Sequence, residues 1–283
     1  MRKFLSLILM LILLAGIITG CAGGKSHTAA PSGTNNQNEA EAGFTQNVPD
    51  ENGGKSTQQG KSTISAGYNA YKQARDAFDK YALEQSHSHE VVDVGIGLVS
   101  AFELKIIEYL LPLVFIGESI NSTGRYNEAM ETTMLQTGWA DDAKLTDNGD
   151  GNFLVTGTSR DGGAMSIRIE YDPDRDDLRL EAQKDGEPAL LFEYAKNGGG
   201  YAAQYYFKAI TGRDFSGAKE QMCVYRTIFD GQNGSCARFD GIDAEPETLL
   251  GGVPSEEDFI SGATHWFTIA NGEFTGKLNG KAF

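Results

Sequence analysis

The sequence predicts an α+β protein, with N-terminal helices packed on one face of an antiparallel β-meander sheet after a disordered tether. Three observations carry this. Between Ile64 and Tyr81 the residues Tyr68, Tyr71, Ala74, Phe78 and Tyr81 recur at steps of three and four, the period of a helix with one buried face. After about residue 138 the period becomes two, as where Met165, Ile167, Ile169 and Tyr171 alternate with Ser166, Arg168 and Glu170. Turn signals at Asp185-Gly186, Asn197-Gly198 and Asn271-Gly272 then divide the alternating runs at hairpin spacing.

The N-terminus stands apart from that domain. Arg2 and Lys3 form a basic start, Phe4 to Ile18 is an uncharged apolar run, and Thr19-Gly20 is a small pair, which together make signal-peptide grammar. The apolar run is short for a membrane span, which needs about 20 residues. Its ending, Ile18-Thr19-Gly20-Cys21, resembles the lipobox of bacterial lipoproteins. The resemblance implies a diacylglyceryl group on the Cys21 thiol, cleavage before Cys21 and usually acylation of the new amine. The alternative is an ordinary signal peptide or anchor helix with an incidental cysteine at its end. Each buried methylene contributes about 0.8 kcal/mol, so two or three acyl chains on one residue make attachment durable. The expected location is the extracytoplasmic face of the cell membrane, with the membrane itself a partner through Cys21.

The expected division is a signal peptide over residues 1–20, the lipidated cysteine and linker over 21–62, and one α+β domain over 63–283, helical to 137 and β-rich from 138. Between Ala22 and Ser62 the only large apolar residues are Phe44 and Val48, too few to bury a core. A flexible tether of that length reaches about 35 Å. Gly54-Lys55-Ser56 and Gly60-Lys61-Ser62 imitate the end of a phosphate-binding loop, but the glycine required upstream would fall at Pro49 and Lys55. No apolar strand precedes them, so no nucleotide site is expected.

Composition excludes another class of partner. The chain has 24 basic and 39 acidic residues and a formal charge of −15. Loss of residues 1–20 removes Arg2 and Lys3 and no acid, leaving 22 basic side chains and a charge of −17. Such a surface lacks the basic footprint that nucleic acid requires and is repelled by anionic headgroups.

Within the domain, the helix starting near Ile64 carries Lys72, Arg75, Asp76, Asp79 and Lys80 on its expected exposed face, with Asp76 and Lys80 spaced for mutual support. Val91 to Gly117 is apolar on nearly all sides and reads as a central buried helix, kinked by Pro112 or ended near Leu111. Asp93, Glu103, Lys105 and Glu108 interrupt it too often for a membrane span. A weaker helix follows from Arg125 to about Gln136.

The registers of the strands follow from turn chemistry. A four-residue loop, Pro173 to Asp176, sets Tyr171 opposite Leu178 and Ile169 opposite Leu180. A two-residue turn at Asp185-Gly186 would drive Phe192 to the wrong face, so a three-residue loop from Asp185 to Glu187 is expected, with Leu180 opposite Phe192. A type I′ turn at Asn197-Gly198 sets Tyr194 opposite Tyr201, Phe192 opposite Ala203 and Leu190 opposite Tyr205. Met222–Phe229 and Ser235–Phe239 form the next hairpin. An acidic connection, Asp240 to Gly262, leads to a last hairpin at Asn271-Gly272 with Ile269 opposite Phe274. The meander has one apolar face to cover, and the helices are available to cover it.

Chemistry-bearing residues are sparse. Cys223 and Cys236, on the cysteine-bearing hairpin, are expected to form a disulfide outside the cytoplasm, two unpaired thiols being the alternative. His27 falls in the tether, and His265 alternates with Phe267 and Ile269 as a sheet-facing side chain. His87-Ser88-His89-Glu90 has zinc-ligating residue types but reads first as a polar connection between helices. Asp172-Pro173-Asp174-Arg175-Asp176-Asp177 spaces carboxylates as calcium loops do, yet Asp177 stands where glycine is needed and Gln183 where a bidentate Glu is needed. Asp147-Asn148-Gly149-Asp150-Gly151-Asn152 is similarly incomplete. Both read as solvated turns. No metal, cofactor or catalytic residue is expected.

These readings lead to a non-catalytic binding or structural module of the cell envelope whose partner is an envelope protein, glycan or lipid. The alternative is a lipid or lipoprotein carrier with an apolar cavity between sheet and helix, an architecture similar to the half-barrel of the lipoprotein-localisation proteins, with no motif in common. An envelope glycan hydrolase, which requires two carboxylates across a cleft, is third.

Overall fold

Thr63 opens the first of the described helices, its side-chain oxygen accepting from Ala66 N–H at 3.3 Å and supplying one of the bonds that a helix start lacks. The computed structural model describes residues 63–86, 106–107, 109–117, 133–134, 140–159, 161–211, 219–278 and 280–283, all within the unit Gly60–Phe283. Helix α1 (Ile64–Ser86) buries Tyr68, Tyr71 and Phe78 of the predicted stripe, with Ala74 and Tyr81 of that stripe half-buried and Ala82 buried beside them. Arg75 departs from expectation. It is only 4% exposed, because it sits one turn from both Tyr71 and Asp79. Its Nε donates to both Asp79 carboxylate oxygens at 2.9 Å, and its Nη1 donates to the Tyr71 hydroxyl at 3.4 Å. Burial of a guanidinium is tolerated when its donors find partners in this way.

Residues 109–115 are helical, so this helix runs through Pro112 instead of ending near Leu111. Leu113 is fully buried, and Ile116 C=O accepts from Ser65 N–H at 2.8 Å, fastening the end of this segment to the start of α1. Residues 91–105 of the expected central helix lie outside the described residues. Of the weaker helix expected next, Thr133 and Met134 are described and helical.

Among the described residues eleven strands form one antiparallel sheet in strict sequence order, β1 through β11. They are β1 (Lys144–Gly149), β2 (Asn152–Thr158), β3 (Ala164–Asp172), β4 (Asp177–Lys184), β5 (Glu187–Asn197), β6 (Gly200–Thr211), β7 (Lys219–Asp230), β8 (Asn233–Asp240), β9 (His265–Ala270), β10 (Glu273–Leu278) and β11 (Lys281–Ala282). The α+β expectation holds at this level. The β1–β2 hairpin has no counterpart in the sequence reading, since its strands lack clean alternation and only Leu145 and Val155 are buried.

On one face, called inner here, Tyr71 of α1 stacks on Tyr194 with ring centroids 4.8 Å apart, and Phe78 stacks on Phe229 at 5.3 Å. Burial of each such ring contributes on the order of 1.5–3 kcal/mol. The Pro173–Asp176 loop and the Asn271-Gly272 turn give the expected pairs Tyr171–Leu178, Ile169–Leu180 and Ile269–Phe274. Leu180 also faces Phe192 as expected, but by another route. Asp185 and Gly186, with φ of 54° and 81°, form a two-residue turn, and a bulge beyond Gln183 absorbs the extra residue and returns Phe192 to the inner face. The β5–β6 turn lies one residue later than expected, at Gly198-Gly199, so Tyr194 pairs with Ala203, Phe192 with Tyr205 and Leu190 with Phe207. The slip of the partner by two residues leaves every side chain on its expected face.

The outer face differs from expectation. It carries an apolar strip of its own, including Leu191, Ala195, Ala202, Val224 and Ile228. The acidic connection after β8 packs on that strip with Ile242, Leu249, Val253 and Phe259, the last from the short helix α2 (Glu256–Ile260). The β-strands between are covered on both sides. Glu193, fully buried on this face, fixes the connection. It accepts from Arg179, from Gln204 Nε2 at 2.7 Å, from Thr248 Oγ1 at 2.7 Å and from Leu249 N–H at 3.0 Å. Glu245 and Glu181 also pair with Arg179. Burial works against that guanidinium's charge, but the three carboxylates outweigh it and hold its pKa above the ordinary value. Arg226 lies between the rings of Phe239 and Phe259, at 5.2 and 5.0 Å, and donates to Phe259 C=O at 3.3 Å.

Glu193→Ala removes one member of a buried pair, leaves Leu249 N–H without its acceptor and takes one acceptor each from Arg179 and Gln204, so it is expected to cost about 3–5 kcal/mol in urea unfolding. Limited proteolysis is expected to cut first between residues 241 and 255. A loss below 1 kcal/mol with unchanged proteolysis contradicts this account of the outer face.

Candidate functional site

The two acidic turns that the sequence treats separately lie side by side. Tyr171 N–H donates to Gly151 C=O at 3.0 Å, joining the end of β3 to the β1–β2 turn. Gly151 has φ +78°, and a Cβ there would lie 2.1 Å from Tyr171 O, so a glycine is required for this approach. Asp150 beside it is also left-handed, at φ 50°. In the β3–β4 turn, Asp172 Oδ1 accepts from the N–H groups of Asp174 at 2.9 Å and Arg175 at 3.3 Å, which winds the chain back on itself.

Asp176 ties that turn to the inner face of the sheet beneath α1. Its carboxylate accepts from Tyr201 at 2.9 Å, Tyr171 at 3.2 Å and Tyr194 at 3.5 Å. Burial first, and the Asp176 charge second, push the hydroxyl pKa values of Tyr194 and Tyr201 above the ordinary tyrosine value. Both therefore remain donors throughout the physiological range. Gly67 of α1 lies directly over this cluster, since a Cβ there would fall 2.4 Å from the Tyr171 hydroxyl and 2.7 Å from Asp176 Oδ1.

Between the two turns and the start of α1 is a cleft of about 720 Å³. Its acidic lining is Asp150, Glu170, Asp172, Asp174 and Asp177, and its apolar lining includes Ile64, Ile116, Phe153 and Leu250. Arg175 is the basic residue among the described lining residues. A smaller hollow of about 270 Å³ adjoins it through Asn152, Phe153 and Glu170, adding Asn148, Leu154 and Arg168. Asp177 is the buried carboxylate of the cleft, 4% exposed. Arg175 Nη2 lies 2.9 Å from Asp177 Oδ2, but outside the direction of a hydrogen bond, so this oxygen has an ionic neighbour and no donor. Burial raises the Asp177 pKa, while the Arg175 charge and Lys196 N–H act against the rise. Among the described residues no group of three or more His, Cys, Asp or Glu side chains could hold a metal ion.

The expected Cys223–Cys236 disulfide is corrected by the register. Both are buried free thiols. Cys236 sits opposite Thr227, four residues along β7 from Cys223, about 13 Å of strand, whereas a disulfide needs Cα atoms within about 7 Å. Burial pushes the Cys223 thiol up to about 11, with Asp240 adding to the effect, and the Cys236 thiol up to about 12. His265 faces inward beside Phe267, as expected, with Nε2 3.7 Å from Asp240 Oδ2. Cys21, His27 and the His87–Glu90 stretch lie outside the described residues.

No known protein family, curated protein or solved structure matches the chain.

Two expected outcomes follow from these groups. Because the folded state holds the Asp177 proton more tightly than the unfolded chain, its titration favours folding at low pH, and that contribution is lost as pH rises through the raised pKa. Asp177→Asn is therefore expected to have the higher Tm at pH 7, with the gap closing on acidification below the ordinary carboxylate range. A gap constant between pH 7 and pH 3 contradicts the buried charge. Thiol reagents are expected to find Cys223 and Cys236 unreactive at pH 8 in the folded protein and both reactive in guanidinium without prior reduction. A requirement for reductant contradicts the register.

Proposed function

We propose that the protein is a lipid-anchored module of the cell envelope, without catalytic activity, that binds a ligand in the cleft between α1 and the two acidic turns. The lipobox-like ending at Cys21 supports attachment to the extracytoplasmic face of the membrane, and residues 22–62 serve as the tether. The N-terminal helices together act as the cover of the inner face. The observation that carries the binding reading is the cleft, where apolar side chains stand beside a carboxylate rim and one buried carboxylate oxygen lacks a donor. Pockets that combine apolar lining with a few placed polar groups are the usual form of ligand sites.

A second reading, a carrier of lipid or lipoprotein, is favoured by a different observation: Tyr68, Tyr71 and Phe78 of α1 pack on an aromatic inner face that movement of the helix would open.

Native mass spectrometry of the full chain extracted from its own membranes in mild detergent tests both. The first reading expects the covalent lipid mass, absent in Cys21→Ser, and a small-molecule adduct that is lost in Asp150→Trp. Lipid beyond the covalent anchor, retained in Asp150→Trp, establishes the carrier instead. A chain with the leader attached and the thiol unmodified removes the envelope assignment.

A further inference from the structure

We infer that Thr248 and Gln204 are the two reactants of an internal ester cross-link, with Glu193 as its base, that fastens the connection after β8 to β6. The inference is independent of the cleft and of any ligand there. Gln204 is fully buried, and each polar atom of its carboxamide has a partner. Its Nε2 donates to Glu193 Oε2 and to Glu247 C=O, both at 2.7 Å, and its Oε1 accepts from Arg226 Nε at 3.3 Å. These partners fix which end of the amide is nitrogen, since only that end donates. Thr248 follows Glu247 in the chain. Its hydroxyl donates to Glu193 Oε1 at 2.7 Å and accepts from Leu250 N–H at 3.2 Å. One buried carboxylate thus holds a hydroxyl on one oxygen and an amide nitrogen on the other.

Each group has a part in an acyl transfer of the chain to itself. Glu193 Oε1 takes the Thr248 proton as Oγ1 bonds to Gln204 Cδ, the step that makes a hydroxyl a nucleophile. Negative charge then gathers on Gln204 Oε1, where the Arg226 guanidinium already stands. Glu193 passes the proton to Nε2, the Cδ–Nε2 bond breaks with its electron pair going to nitrogen, and the carbonyl re-forms. Amide and alcohol become ester and ammonia, with no other reactant consumed. Arg179 also bonds Glu193, but its charge is divided among that residue, Glu181 and Glu245, so Glu193 is not neutralised by it alone. Holding both reactants against one carboxylate replaces a chance encounter with a fixed one. Burial of Gln204 keeps water from competing at Cδ. The product closes a covalent ring from β6 through β7 and β8 to the connection.

Peptide mapping of the full chain, extracted from its own membranes in mild detergent and then unfolded, tests this. Trypsin is expected to release residues 197–208 and 239–277 as one species, lighter than the two peptides together by one ammonia. Mild neutral hydroxylamine, which cleaves esters and spares amides, is expected to separate them. Thr248→Ser is expected to keep the linked species, and Glu193→Gln and Thr248→Ala to abolish it. Thr248 lies in an exposed stretch, so Thr248→Ala keeps the test decisive if Glu193→Gln fails to fold. The inference is overturned if the two peptides appear separately at full mass, or if either loses ammonia without being joined to the other. It is equally overturned by a linked species that persists in Thr248→Ala or survives hydroxylamine.

Discussion

A single carboxylate with no access to water sets the conditions for the rest of the sheet. Glu193 cannot be buried as an isolated charge, because desolvation of an ion costs several kcal/mol unless its oxygens are matched. Its partners come from three places: Arg179 on β4, Gln204 on β6, and Thr248 with Leu249 N–H in the connection after β8. The connection is thereby held over the outer apolar strip, where Leu249 and Phe259 bury almost completely. Ser235 of β8 fastens the far end, bonding Glu256 of α2 and Thr268 of β9. Polar fastening at discrete points, with apolar filling between, lets an acidic and glycine-containing stretch cover a sheet without forming long helices of its own.

How far the sequence could be read follows the same division. The inner face was legible because its side chains alternate cleanly: a slipped turn that moves the partner by two residues keeps parity, as between β5 and β6. The outer strip was not legible. In β5 buried residues run consecutively from Leu190 to Ala195, so alternation vanishes where both faces are covered. The bulge beyond Gln183 was equally hidden, since it gives the same register as a longer loop. Arg75 looked like an exposed charge because periodicity does not reveal that Asp79 and Tyr71 lie within its reach.

Of the candidate site, both halves were visible and their union was not. The two acidic turns stand out in composition, but only the Gly151–Tyr171 approach brings them together, and no local pattern announces a contact across two hairpins. Asp176 and Gly67 extend the same point to α1, where the helix start, a turn and three tyrosines share one small volume. The cysteines show the converse error. Two thiols on one hairpin invite pairing, but only the register decides whether they meet.

The uninterrupted succession of neighbours from β1 to β11 also bears on how the chain reaches this state. Every strand after the first has its template already in place when it arrives, so pairing needs only short loop closures apart from the connection before β9. The helix has the opposite history. Phe78 meets Phe229 and Phe267, both far downstream, so this helix, the first among the described elements, waits for nearly the last before its aromatic stripe is covered. A chain delivered from its N-terminus would thus hold a greasy helix exposed through most of its synthesis, and that interval is when a companion protein would have most to shield.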